Sequence, residues 1–165
     1  MAHGEVYDEQ FGWDSDFEAL VARIVADYAT AHDPEREAAW IAEVDGDRAG
    51  CVFLVADDEA GTAKLRILLV TPAARRLGVG TRLVEECLGF ARAAGYDRVT
   101  LWTNDVLVAA RRIYQAFGFT LTEEEPHHSL ATTWSGRAGR WHCVRRPAVA
   151  GSFTRTEAEL WIAGE

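Results

Sequence analysis

Two glycines and a run of arginines stand together in Val70-Thr71-Pro72-Ala73-Ala74-Arg75-Arg76-Leu77-Gly78-Val79-Gly80-Thr81, between an apolar stretch and a segment of helical periodicity. Glycines at a strand-to-helix handover let the backbone approach a ligand and aim successive N–H groups at one point. The helix start adds partial positive charge there. Arg75, Arg76 and Arg82 add full charges, so the segment suits a pyrophosphate better than a metal or a free carboxylate. A dinucleotide fingerprint would need a third glycine with an acidic residue about 20 positions on, and a P-loop would need Gly-Lys-Ser/Thr; both are missing. The bland alternative is a helix start whose glycines allow tight packing and whose arginines are solvated.

The elements that must position this loop follow from periodicity. Phe17, Leu20, Val21, Ile24, Val25 and Tyr28 recur at helical spacing, with Asp14, Ser15 or Asp16 as cap, and predict a helix over residues 15–31. Ala38 to Val44 and Ala49 to Ala56 read as strands joined by the turn Asp45-Gly46-Asp47-Arg48. A third strand, Ala63 to Val70, ends at Pro72, and Leu83, Val84, Cys87, Leu88 and Ala91 predict a helix running to Gly95. Arg98 to Thr103 reads as a strand, Val108 to Phe117 as a helix stopped by Gly118, and Phe119 to Glu123 as a further strand. Helices alternating with strands after an initial hairpin imply an α/β (α+β) fold, a mixed sheet covered by helices.

With 165 residues and 48% hydrophobic content, one domain with one core is expected. The net charge of −9 speaks against generic nucleic-acid binding and favours a cationic acceptor only weakly. Cys51, Cys87 and Cys143 are odd in number and far apart, so neither a disulfide framework nor a zinc site is expected. The chain start lacks a signal-peptide pattern, and no apolar run approaches the roughly 20 residues of a membrane span. A cytoplasmic location, with no membrane and no metal, is the expectation.

Arg75-Arg76-Leu77-Gly78-Val79-Gly80 resembles the Arg/Gln-x-x-Gly-x-Gly/Ala loop of GNAT acetyltransferases. Ala110-Arg111-Arg112-Ile113-Tyr114-Gln115-Ala116-Phe117-Gly118-Phe119 resembles the family's second signature, Ala-x-x-x-Tyr-x-x-x-Gly-Phe. Phe11-Gly12-Trp13, Leu101-Trp102-Thr103-Asn104-Asp105 and Glu124-Glu125-Pro126-His127-His128 look more narrowly like the acetyltransferase half of MarR-type regulator fusions. The resemblance implies the GNAT fold, a mostly antiparallel sheet with helices on both faces, splayed at the strand before the glycine loop.

It also implies acetyl-CoA as acyl-donor cosubstrate, its pyrophosphate on the amides of Arg75, Arg76, Leu77, Gly78, Val79, Gly80 and Thr81. The pantetheine arm would run beside Leu69 and Val70, with Asn104 and Ala110 nearby. Tyr114 would protonate the departing thiolate, and the acceptor would be an amine of a small molecule or a protein. Several relatives carry a glutamate on the strand before the loop and an asparagine seven residues before the tyrosine; this chain has neither, and Leu107 holds the second place. Glu43, Glu124, Glu125, His127 and His128 are the candidate bases, a histidine being suited to proton relay near neutral pH. Trp13, Trp40 and Trp102 are candidates to line an acceptor pocket, with core packing as the competing role. A homodimer is left open.

The family-like segment closes near residue 129, which sets the expected domain at 1–129 and a poorly ordered tail at 130–165. Leu130 to Trp141 back-translates, with GC-rich codons and a one-base shift, to Gly-His-Asp-Leu-Val-Gly-Gln-Gly-Trp-Glu-Val, close to the family's last strand. A single-base deletion near Leu130 is the corresponding expectation. Two other readings fit the same loop: a non-catalytic acetyl-CoA binder or damaged enzyme, and an ATP-binding domain.

Overall fold

The computed structural model describes residues 15–105, 107–128 and 135–144. Phe11-Gly12-Trp13, the cap candidate Asp14 and the helix-like stretch from Thr154 to Ala163 lie outside the described residues. Helix α1 spans Ser15–Ala31, as the periodicity predicts. Strands β1 (Ala38–Val44) and β2 (Asp47–Ala56) form an antiparallel hairpin. Its turn is two residues long, not the four expected. Asp45 and Gly46 both take positive φ, 53° and 86°, the mirror-image turn whose twist matches the strands, so β2 begins at Asp47.

Strand β3 (Thr62–Val70) leads through a single 3-10 turn, Pro72–Ala74, into helix α2 (Val79–Ala93). Gly95, at φ 82°, ends α2, and the Tyr96 amide reaches back to the Ala91 carbonyl at 3.0 Å. Strand β4 (Arg98–Asn104), helix α3 (Val108–Ala116) and strand β5 (Thr120–His128) follow. The last strand, β6 (Ser135–Val144), pairs between β4 and β5, so the sheet order is β1-β2-β3-β4-β6-β5. The sheet therefore continues past residue 129. Gly139 and Trp141 turn inward and are buried while Arg140 is exposed, the two-residue alternation of a half-buried strand.

Among the described strands only β3 and β4 run parallel. The core lies on the face covered by α2, where Val52, Leu54, Leu83, Val84 and Cys87 are fully buried. Trp40 of β1 meets Phe90 of α2 edge-on at 5.6 Å, which makes it a core residue and not part of an acceptor pocket. Helix α1 lies on the opposite face, its Tyr28 edge-on to Phe53 at 5.2 Å. Among the described residues no helix is long and apolar enough to cross a membrane.

Candidate functional site

Strands β3 and β4 are hydrogen-bonded at only three levels, Thr62 with Arg98, Ala63 with Val99 and Lys64 with Thr100. Beyond Lys64 they part. The cause sits in β3: between the pairs Phe53–Arg66 and Cys51–Leu69, Ile67 and Leu68 together face the single residue Val52. This is a β-bulge, and Ile67 takes φ 53°, a left-handed conformation that a β-branched residue rarely adopts. Such strain costs roughly 1–3 kcal/mol and concentrates at functional sites. Past the bulge β3 hugs β2, where a β-carbon on Gly50 would strike the Leu69 carbonyl oxygen. The opening toward β4 leaves backbone N–H and C=O groups at the edge of β3 facing a cleft.

The glycine loop stands at the end of this cleft. Arg76 and Gly78 are left-handed, at φ 67° and 78°, and Gly78 caps α2 without any side-chain bond. Among the described residues the N–H groups of Gly78, Val79, Gly80 and Thr81 have no acceptor, and the first bond of the helix is Arg82 N–H to the Gly78 carbonyl at 3.0 Å. No acidic residue lies in the first turn. These are free donors at a positive helix end, the arrangement an anion requires.

The two glycines do different work. Gly78 is exposed, with nothing within 4 Å of where a β-carbon would stand, and is needed for its backbone angle. Gly80 is buried. A β-carbon there would lie 3.0 Å from Ile113 Cδ1 and 3.3 Å from Val70 Cγ2, so its bare backbone lets α2, α3 and the end of β3 meet. The packing role foreseen for these glycines thus belongs to Gly80.

Arg75, Arg76, Leu77 and Thr81 are exposed, with Leu77 at 61%, while Val79 is buried. Arg82 departs from expectation. Its guanidinium reaches Glu86 at 2.8 Å and Glu85 at 3.2 Å along the helix, so its charge is spent on its own surface. Leu69 is buried, Val70 half-buried and Ala110 half-buried against the core. Asn104 ends β4, its carbonyl accepting the Leu107 amide at 3.2 Å.

Tyr114 is 5% exposed and packs on Phe119 at 5.7 Å. Its carbonyl accepts the amides of Phe117 and Phe119 at 3.1 and 3.0 Å, which pins the last turn of α3. The tyrosine and the loop are brought together through Ile113, one residue before it, at Gly80.

The candidate bases are not gathered so. Glu43 is exposed on β1, opposite Arg48, with β2 between it and the bulge. Glu124, also exposed, and His127 belong to β5, separated from β4 by β6; the side chains of Glu125, His127 and His128 lie outside the described residues. Asp105, passed over in the sequence, has an Oδ1 buried just past the end of β4 with no hydrogen-bond partner among the described residues. Trp102 is 47% exposed on β4. Cys51, paired with Leu69 just past the bulge, has its thiol pushed up to about 11 by burial, and the fully buried Cys87 thiol is pushed higher still. Among the described residues no group of three or more His, Cys, Asp or Glu could hold a metal.

The family model for the acetyltransferase (GNAT) family matches residues 4–119. An uncharacterized N-acetyltransferase of Schizosaccharomyces pombe is 28% identical over 124 residues, 75% of this chain and 76% of that one. A mycothiol acetyltransferase of Beutenbergia cavernae is 36% identical over 83 residues, and the match spans 49% of this chain but only 28% of that protein. The solved structure of a Bacillus subtilis acetyltransferase in complex with CoA shares the fold, with a TM-score of 0.59 and 19% identity, over 75% of this chain and 84% of that one.

Proposed function

The chain belongs to the GNAT acetyltransferase family and is an acyltransferase, and from that premise we propose that it transfers acetyl from acetyl-CoA to an amine by direct attack in a ternary complex. One observation carries the reading: the cleft between β3 and β4 ends at a loop whose helix-start amides have no acceptor among the described residues, with no acidic residue in the helix's first turn. A diphosphate fits those amides, with Arg75 and Arg76 exposed beside them. The amide-bearing pantetheine arm fits the edge of β3 that faces the opening near Leu69 and Val70, in the manner of an added strand.

Within that arrangement the chain's own groups divide the chemistry. Backbone N–H groups of β3 at the opening that the bulge creates would supply donors for the carbonyl oxygen as negative charge builds on it. Tyr114 delivers a proton to the leaving sulfur. Removing the proton of the attacking amine falls to Glu43 or His127, neither of which lies on β3 or β4, with Asp105 as the third candidate. Burial keeps the Cys51 thiol protonated at neutral pH, which supports direct transfer over an acyl-cysteine route.

The finer resemblance to the acetyltransferase half of MarR-type regulator fusions, carried by residues such as Trp102 and Asn104, remains part of this proposal. The test is incubation with acetyl-CoA and a panel of amines while free thiol is followed. Thiol release that depends on an amine supports the reading. CoA binding without release on any acceptor supports a non-catalytic binder instead, and stabilisation by ATP but not by CoA supports a nucleotide-binding domain.

A further inference from the structure

The cleft has two faces, and the loop, α2 and Tyr114 occupy only one. On the other, the register fixes what flanks the opening. Lys64 and Thr100 are paired across β3 and β4, and both reach Asp57, Lys64 Nζ at 3.2 Å and Thr100 Oγ1 at 3.0 Å, so their side chains share a face. Arg66 and Trp102 stand two residues further along their strands, on that same face, at the first level where the strands have parted. Arg66 is also paired with Phe53, whose ring meets Tyr28 of α1, which places this face opposite α2.

The charges near the opening are unevenly matched. Lys64 is neutralised by Asp57, and Arg140, opposite Trp102 on β6, by Glu123 at 3.4 Å. Arg66 is half-buried and has no ion-pair or hydrogen-bond partner among the described residues. A partly desolvated guanidinium without a counter-charge is unfavourable unless a ligand supplies one. Its planar fork suits a carboxylate. Trp102, on the same face two residues beyond Thr100, is an exposed aromatic residue in a chain whose net charge is −9.

Resting on the acetyltransfer reading, we propose that the acceptor is a small amine bearing a carboxylate near its nitrogen, with Arg66 gripping the carboxylate and Trp102 flanking the carbon skeleton. Arg66 immediately precedes the bulged Ile67. An amine a few bonds from the held carboxylate then lies at the bulge, where the donor carbonyl would sit on the other side of the cleft. The local cation sets the preference here and the overall negative charge does not, because screening limits distant charges to roughly 8–10 Å.

The experiment compares matched acceptors: L-amino acids, their carboxamides, their decarboxylated amines and phosphoethanolamine, each with acetyl-CoA and thiol release as readout. Carboxylates are expected to exceed their carboxamides at least tenfold in kcat/KM. Arg66→Gln should lower kcat/KM for the carboxylates roughly ten- to hundredfold, mainly through KM, while carboxamides and the Kd for CoA stay unchanged. Arg66→Lys should recover part of the loss. Carboxamides or bare amines preferred by wild type, a loss in Arg66→Gln that is equal for all acceptors, or preference for phosphoethanolamine overturns the inference and leaves acetyltransfer standing. Absence of thiol release with every amine overturns acetyltransfer itself, and the inference with it.

Discussion

Replacing Gly80 by alanine should strain the junction on which the donor site is built, and the strain should be relieved by one particular second change. The new β-carbon would stand 3.0 Å from Ile113 Cδ1 and 3.3 Å from Val70 Cγ2, where ordinary carbon contacts begin near 3.4 Å. Overpacking of this size costs about 1–3 kcal/mol, partly offset by the roughly 0.5–1 kcal/mol that alanine gains over glycine in a helix. Ile113→Val removes the Cδ1 atom itself; alone, it should cost about 0.5–1.5 kcal/mol. In the Gly80→Ala background that cost should shrink or reverse, giving a coupling of about 1 kcal/mol, measurable by urea denaturation of the four proteins of the cycle. Gly78→Ala is the control: it should cost about 1–2 kcal/mol through its left-handed backbone alone and show no coupling to Ile113. Effects of Gly80→Ala and Ile113→Val that add within about 0.3 kcal/mol would refute the packing argument.

Tyr114→Phe keeps the ring against Phe119 and should lower kcat roughly a hundredfold or more with the Kd for CoA unchanged; an unaltered kcat removes the tyrosine from proton delivery. Burial raises the Asp57 carboxyl, but the Thr100 hydroxyl and the Lys64 ammonium outweigh it, so the group titrates below its ordinary value in the folded protein. Its contribution to stability is then fully present above about pH 4 and is lost as pH falls through the folded pKa. Asp57→Asn should flatten the acid side of the stability profile, measured by thermal melts from pH 3 to 7, and an unchanged slope would contradict the assignment. With both thiols held protonated by burial, Cys51 and Cys87 should resist iodoacetamide at pH 8 in the folded state. Rapid labelling of either, read by mass spectrometry, would count against the packing described.

Part of the donor side was legible because glycine is informative: Gly78 and Gly80 at a strand-to-helix junction marked the start of α2 and the loop before it. The bulge was not legible. Leu65-Arg66-Ile67-Leu68-Leu69-Val70 is nearly continuous in apolar residues, and no glycine signals the extra residue, which is forced by pairing with β2. Strand β6 carries readable alternation at Gly139 and Trp141, yet its place between β4 and β5 is a matter of tertiary pairing that no local pattern reveals. Trp40 and Trp102 looked equivalent as residues; burial against Phe90 and exposure beside the cleft separate them. The pairing of Arg82 with Glu85 and Glu86 follows from spacing of three and four along a helix and was there to be read.

The amides at the start of α2 are proposed to bind a diphosphate, and titrating the 15N-labelled protein with CoA observes those groups directly. Downfield movement of the Gly78, Val79, Gly80 and Thr81 amide proton resonances on adding CoA, absent with pantetheine, which lacks the diphosphate, is the predicted result. Identical responses to the two ligands, or unmoved resonances for those four residues while CoA demonstrably binds, would contradict it.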